Sequence, residues 1–201
     1  MIIKRHEDPW IHYLIENYFD ELTLSNLISE IPKLNFKKSI DDYRDEYDFN
    51  SSNYNNPLIQ SIINSFLSTQ NINLLSKQNN NLKEREKILR ISIWKDYKGF
   101  KLPIHTDSFH KLFTMQIYLP LNSEKDYGTS FYDENNNFYK KSDYILNNGY
   151  YFFPNINGIK TNHSFNEDIK TERCSIVFNI FDENLYTKKI KKDINSYIKF
   201  K

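Results

Sequence analysis

The stretch Leu102-Pro103-Ile104-His105-Thr106-Asp107 places an imidazole and a carboxylate two residues apart. In an extended strand, side chains two residues apart point to the same face, so we expect His105 and Asp107 to lie side by side. A neutral imidazole and a carboxylate on one face supply two of the three protein ligands of a facial iron(II) site. The pattern therefore predicts a metal centre on this strand.

The third ligand would be a second histidine from another strand. His163, in Thr161-Asn162-His163-Ser164-Phe165, is the late candidate, and His110 is a rival close to His105. Ten residues after His163, Arg173 opens an apolar run to Ile180 that is typical of a buried strand. Ser175 shares the face of Arg173 by alternation, and Cys174 should face away from the site. Taken singly, each of these residues also fits an ordinary structural role, such as an arginine in a salt bridge at a sheet edge.

The ordered set of His-x-Asp, a distant His and Arg-x-Ser resembles the iron(II)/2-oxoglutarate-dependent dioxygenases, specifically their prolyl-hydroxylase-like branch. The resemblance implies a double-stranded β-helix (a jelly-roll, cupin-like core) over roughly residues 88–182. It also implies that His105, Asp107 and His163 bind Fe(II), with 2-oxoglutarate as cosubstrate and dioxygen as the oxidant. Some family members lack the Asp and bind halide there, so the presence of Asp107 favours hydroxylation over halogenation.

The resemblance assigns the Arg-x-Ser pair, Arg173 and Ser175, to the C5 carboxylate of 2-oxoglutarate. A buried carboxylate needs a partner, and a planar guanidinium offers a two-pronged match. Tyr118 lies where the family often has a tyrosine whose hydroxyl reaches the same carboxylate, although a core aromatic is an equally good interpretation. Alternation puts Thr114, Gln116 and Tyr118 on one face of their strand.

Composition restricts the class of protein. The 27 basic and 26 acidic residues among 201 nearly cancel, which argues against a nucleic-acid partner. No run of eighteen apolar residues exists, so we expect no membrane partner and a cytoplasmic location. The single cysteine, Cys174, excludes an intrachain disulfide. At 39% hydrophobic residues the chain can bury a substantial core.

Local patterns predict the elements. Residues 10–19 favour a strand, and Asp20 should cap a helix that ends at Pro32. Asn56-Pro57 is a strong helix start, whereas the polar residues 41–56 indicate a loop. Alternating or apolar runs at 89–94, 112–120 and 149–154 predict strands. His6 and His12 are interpreted as structural histidines.

These elements predict an α+β, mainly β fold in a single domain, with N-terminal helices packed on one sheet of the double-stranded β-helix. We divide the chain into a helical N-terminal part (1–87), the core (88–182) and a basic C-terminal tail (183–201), of which residues 188–201 should be solvated or loosely docked. Residues 122–148 are polar, carry turn signals and several aromatic rings, and could form a substrate lid. The alternative is a surface excursion or an extension of the sheet.

The function that best fits the sequence is an iron(II)- and 2-oxoglutarate-dependent dioxygenase that hydroxylates a C–H bond and releases succinate and CO2. One alternative is a cupin-like metal-binding protein of another class, such as an isomerase or a non-catalytic sensor. Another is a polypeptide-binding module with a vestigial metal site. The substrate, whether a small molecule or a peptide, is set by pocket walls that the motif does not encode.

Overall fold

The structure, a computed structural model, describes residues 1–39, 42–79, 82, 86–120, 127–154, 158–190 and 197–200. Two antiparallel sheets face one another. The strands of the larger sheet, numbered along the whole chain, are β1 (Ile2–His6), β2 (His12–Glu16), β3 (Lys37–Lys38), β4 (Arg44–Phe49), β5 (Lys87–Asp96), β7 (Lys111–Tyr118), β10 (Gly149–Phe152), β12 (Arg173–Asp182) and β13 (Ile198–Phe200). The smaller sheet contains β6 (Leu102–His105), β8 (Ser130–Tyr132), β9 (Phe138–Lys141) and β11 (His163–Phe165). This is the predicted double-stranded β-helix, and the fold class is confirmed.

The strand order shows how the two sheets are built. The larger sheet runs β1-β2-β10-β7-β12-β5-β4-β3, with β13 also pairing with β5, and the smaller runs β6-β11-β8-β9. The helices are α1 (Glu21–Glu30), α2 (Pro57–Phe66), α3 (Thr69–Gln78) and α4 (Glu183–Ile190). Both predicted helix starts are correct, because the Asp20 side chain accepts a hydrogen bond from the Thr23 amide and that of Asn56 from the Leu58 amide.

The central strand β12 divides apolar from polar side chains by simple alternation. The face of β12 turned towards the helices carries Cys174, Ile176 and Phe178, which belong to the main hydrophobic core. That core also contains buried residues of α1 and α2, and the Phe66 ring stacks on Phe178 with centroids 4.9 Å apart. The opposite face of β12 looks into the space between the two sheets, where polar side chains collect.

The N-terminal part contains more strand than the sequence predicts. Residues 1–87 supply β1 to β4, all of which join the larger sheet beside the helices. The expectation of a loop over residues 41–56 is wrong for Arg44–Phe49, where β4 pairs with β5, whereas residues 50–56 form turns and residue 41 lies outside the described part. The carboxylates of this polar strand bind a partly buried arginine of β5, because Arg90 donates to both Glu46 and Asp48.

The C-terminal tail is also structured where it is described. The expectation of a solvated or loosely docked terminus over 188–201 is wrong for β13, which pairs with β5. Ile198 and Phe200 pack against the main core, and Lys199 forms a salt bridge with Glu183 (2.6 Å). These two apolar residues are separated by one lysine, so the strand is amphipathic despite the basic composition. Residues 191–196 and 201 lie outside the described part.

Part of the predicted lid segment, 122–148, forms strands of the smaller sheet. Its described residues, 127–148, contain the antiparallel pair β8 and β9. Tyr127, Phe131 and Tyr144, rings that a lid would bring over a reacting centre, are already buried in the aromatic core between the sheets. The described residues 127–148 therefore favour the alternative, an extension of the sheet, and residues 122–126 lie outside the described part. No helix of the described ranges is long and apolar enough to cross a membrane.

His12 is a buried histidine held in its neutral form. Its Nδ1 lies 2.9 Å from the Trp10 carbonyl oxygen, and its Nε2 has no hydrogen-bond partner among the residues described. The His6 ring stacks on it at 5.1 Å. Burial is the main cause that lowers the pKa of His12 to about 4, since an imidazolium would have to give up its hydration there.

This histidine should make the free energy of unfolding depend on pH. Because the folded-state pKa lies below the ordinary 6.5 of the unfolded chain, its contribution is present above pH 6.5 and lost as the pH falls towards 4. We expect His12→Phe, which keeps a ring but binds no proton, to remove about 2 kcal/mol of the stability difference between pH 7 and pH 4.5. Urea unfolding at both pH values measures it, and an unchanged difference in the variant would contradict the assignment.

Candidate functional site

Two strands of the smaller sheet bring two imidazoles together. β6 and β11 are antiparallel neighbours in which His105 pairs directly with His163. Paired residues of neighbouring strands carry their side chains on the same face, and the two ring centroids are 4.2 Å apart. The pairing of β6 with β11 therefore brings together two histidines that are 58 residues apart in the sequence.

Both imidazoles are oriented by the backbone. Nδ1 of His105 lies 2.9 Å from the Pro103 carbonyl oxygen, and Nδ1 of His163 lies 2.8 Å from that of Thr161. A carbonyl oxygen only accepts, so Nδ1 carries the proton in each neutral ring and Nε2 carries the lone pair. This is the hydrogen-bonding pattern of metal-ligating histidines.

Asp107 completes the cluster. Its Oδ1 accepts from Lys111 Nζ and its Oδ2 from Thr114 Oγ1, both at 2.6 Å. Burial on its own would raise the pKa of Asp107, but the charge of Lys111, the nearby His163 and these hydrogen bonds bring it to about 2. Burial lowers the pKa of His163 to about 4. At neutral pH the carboxylate is thus ionised and the imidazole neutral, the forms that bind a metal.

The geometry of the three side chains fits a metal ion. The ligand atoms of His105, Asp107 and His163 all lie within 4.8 Å of one another, and among the described residues they form the one such group. Two imidazole nitrogens and one carboxylate oxygen are the donor set of a facial triad. The rival His110 is not in the group, because its ring stacks on Phe181 and its Nε2 lies 3.2 Å from Ser108 Oγ.

A cavity of about 150 Å³ adjoins the cluster between the two sheets. Its lining combines the metal-ligand candidates with polar residues of the larger sheet and a few aromatic rings. The residues that line it are Arg44, Trp94, Phe100, Leu102, His105, Asp107, Lys111, Thr114, Gln116, Thr129, Tyr150, His163, Phe165, Arg173, Val177 and Asn179.

Arg173 lies in this lining and is 2% exposed. Its Nε donates to the Tyr127 carbonyl oxygen (2.8 Å), its Nη1 to Asp96 (2.8 Å) and its Nη2 to Thr129 Oγ1 (3.3 Å). These bonds hold the guanidinium in one orientation at the cavity wall. The structure thus places Arg173 in the same cavity as the three candidate ligands.

The other two residues predicted to bind the cosubstrate, Ser175 and Tyr118, do not line the cavity. Ser175 Oγ accepts from Gln116 Nε2 at 2.7 Å. The Tyr118 hydroxyl lies 2.6 Å from Ser142 Oγ and accepts from the Thr129 amide at 2.9 Å. Neither is among the lining residues, and a role for either in binding a cosubstrate stays a prediction. Tyr150, whose hydroxyl donates to Gln116 Oε1 (2.8 Å), is the tyrosine that lines the cavity.

Sequence reasoning missed four polar residues of this site. Asp96 is fully buried between Arg173 and Arg44, and Arg44 belongs to β4. Lys111 donates to Asp107, and Thr129 accepts from Arg173. Parity could have placed Asp96 on the face of Trp94 within β5. No local signal links Arg44 or Thr129 to the site, because both reach it through pairing with distant strands.

The fold, a double-stranded β-helix, is similar to that of solved 2-oxoglutarate/iron(II) oxygenases and prolyl hydroxylases. No protein-family model matches the sequence, and no curated protein sequence matches it either. The similarity is therefore one of fold and not of overall sequence.

Individual solved structures show the extent of the similarity. A prolyl-4-hydroxylase from Pseudomonas putida superimposes with a TM-score of 0.63 at 9% identity, over 85% of this chain and 91% of that chain. A prolyl hydroxylase from Trichoplax adhaerens, in complex with a peptide fragment of hypoxia inducible factor, gives 0.62 at 14% identity over 89% and 86%.

A third similar protein is HygX from Streptomyces hygroscopicus. Its structure with nickel and 2-oxoglutarate gives a TM-score of 0.58 at 9% identity, over 94% of this chain and 92% of that chain. A second structure, with hygromycin B also bound, gives 0.52 at 9% identity over 85% and 82%. At these identities the similarity establishes the fold.

The cluster predicts one site for a divalent metal. Anaerobic titration with iron(II) should saturate at one ion per chain, and His163→Ala should abolish binding because two ligands hold the ion far more weakly than three. His110→Ala removes a buried histidine outside the cluster and should bind iron normally. Undiminished iron binding by the His163 variant would contradict the assignment.

Proposed function

We propose that this protein is an iron(II)- and 2-oxoglutarate-dependent dioxygenase that hydroxylates a C–H bond of a small-molecule or peptidyl substrate and releases succinate and CO2. The observation that carries the proposal is the placement of His105, Asp107 and His163 around one point beside a cavity that also contains the buried Arg173. A metal at one end and a cation in the same cavity match a chelating acid with a second carboxylate.

His105 and His163 would hold iron(II) through Nε2, and Asp107 would hold it through a carboxylate oxygen. Three protein ligands on one face leave positions for a chelating cosubstrate and for dioxygen, and the bound iron supplies the oxidative chemistry. Because Asp107 also accepts from Lys111 and Thr114, its orientation is fixed by groups outside the metal site.

Arg173 would bind the C5 carboxylate of 2-oxoglutarate, and the Thr129 hydroxyl beside it could add a hydrogen bond. The guanidinium is pre-oriented by three protein contacts, so little conformational entropy is lost when the carboxylate arrives. The aromatic rings of Phe100 and Phe165 line the same cavity and would exclude water from the bound cosubstrate.

The volume of the cavity indicates which of the two ligands it holds. A cavity of about 150 Å³ is of the size that holds one benzene molecule in an engineered protein core. It therefore suits a single small acid and not a peptide as well. His105 is only partly buried, so the substrate would approach the metal from that side. The peptide in the Trichoplax structure and the hygromycin B in HygX support both substrate classes.

The activity test is substrate-dependent succinate release. The protein loaded with iron(II), 2-oxoglutarate and dioxygen is screened against peptide and metabolite pools, with His163→Ala as the control for adventitious oxidation. We expect succinate above the slow uncoupled background with at least one pool, and none from the variant. Tight metal binding without any 2-oxoglutarate consumption would instead favour a metal-binding protein of another class.

Arg173 provides a separate binding test. Arg173→Leu should leave metal affinity unchanged and weaken 2-oxoglutarate by about a hundredfold, or about 3 kcal/mol for a charged, hydrogen-bonded pair. Calorimetric titration of the nickel-loaded protein with 2-oxoglutarate measures this without turnover. Wild-type affinity in the variant, or a crystal structure with the C5 carboxylate bound elsewhere, would refute the role.

A further inference from the structure

Three charged residues lie in one row across the larger sheet. Arg173 of β12 pairs with Asp96 of β5, and Asp96 pairs on its other side with Arg44 of β4. Side chains in such a row point to the same face. The row therefore continues the wall that carries Arg173 by two further strands, and Arg44 is its far member.

Asp96 is shared by both arginines. Its Oδ2 accepts from Arg173 Nη1 at 2.8 Å and its Oδ1 from Arg44 Nε at 2.5 Å. Asp96 and Arg173 are fully buried, and the Arg44 side chain is mostly buried. Asp96 is the ion-pair partner of each arginine within the described residues. Two guanidiniums and one carboxylate thus leave one positive charge uncompensated at the cavity.

Arg44 has hydrogen-bond donors that no described protein group accepts. Its guanidinium packs against Trp94 (3.9 Å from the ring centroid) and Phe100 (4.2 Å). Only Nε is engaged within the described residues, so the two terminal nitrogens are without a partner there. Arg44 lines the cavity. In contrast, all three nitrogens of Arg173 already bond to protein groups.

The two guanidiniums share one hydrophobic border. Arg173 packs against Phe165 (4.4 Å from the ring centroid), as Arg44 packs against Phe100. The two phenyl rings are themselves 6.0 Å apart. Such an apolar border keeps water from a bound anion and strengthens each charged hydrogen bond. An uncompensated cation in these surroundings is costly unless an anion joins it.

We propose that Arg44 and Arg173 together bind the distal carboxylate of the cosubstrate, with Arg44 supplying the uncompensated charge and the unused donors. Asp96 is a positioning residue that holds both guanidiniums and neutralises one of them. This inference rests on the proposed function. It makes the site selective for 2-oxo acids with a second carboxylate, because a 2-oxo acid without one leaves the extra charge unpaired.

The test compares two acids that chelate a metal in the same way. The nickel-loaded protein is titrated calorimetrically with 2-oxoglutarate and with 2-oxopentanoate, which has the same five carbons and lacks the distal carboxylate. In Arg44→Gln we expect 2-oxoglutarate to bind about tenfold to a hundredfold more weakly, the usual range for a hydrogen bond to a charged group. The weaker affinity for 2-oxopentanoate should stay as in the wild type.

Arg90→Gln is the matched control. Arg90 is also a partly buried arginine, paired with Glu46 and Asp48 of β4, but it does not line the cavity. Its substitution should change the affinity for neither acid. Arg44→Lys keeps the charge but loses the planar fork, and should fall between the wild type and Arg44→Gln in affinity for 2-oxoglutarate.

The outcomes are distinguishable. Wild-type binding of 2-oxoglutarate by Arg44→Gln, or an equal loss of both acids, would show that Arg44 only supports the fold, and would overturn the inference. If circular dichroism shows that Arg44→Gln does not fold, Arg44→Lys decides by the same two-acid comparison. A nickel-loaded wild type that binds no 2-oxoglutarate would overturn the proposed function itself.

Discussion

The register of β12 between β5 and β7 is the constraint on which the rest of this structure depends. β12 pairs with β5 over its full length and with β7 over most of it. A slip of one residue would exchange its two faces, placing Phe178 between the sheets and Arg173 among the helices. The same register therefore secures the hydrophobic core on one side and the polar cavity on the other.

The inner face of the larger sheet carries several charged residues that share ion-pair partners. Asp96 accepts from both Arg173 and Arg44. Arg90 donates to both Glu46 and Asp48. Buried charges persist only when they are paired and hydrogen-bonded. The N-terminal strand β4 takes part in this pairing, because Arg44 pairs with Asp96, and Glu46 and Asp48 pair with Arg90.

Elements with local signals were predictable from the sequence. The capping side chain of Asn56 and the alternating run before Trp94 act within a few residues, so α2 and β5 follow from them. β4 and β13 were missed because their polar or basic composition suits a solvated chain just as well. Only the edge of β5, to which both pair, makes strands of them, and a one-dimensional pattern does not contain that edge.

The sequence by itself determined the spacing of His105 and Asp107, and the order in which His163 and Arg173 follow them. The two-residue spacing keeps the first two side chains close together in the fold, although Asp107 lies beyond the end of β6. The tertiary structure alone decided that Arg44 reaches the cavity and that the Tyr118 hydroxyl turns away from it to Ser142. Such contacts depend on which distant strands pair and in which register, and that is settled by burying the whole core at once.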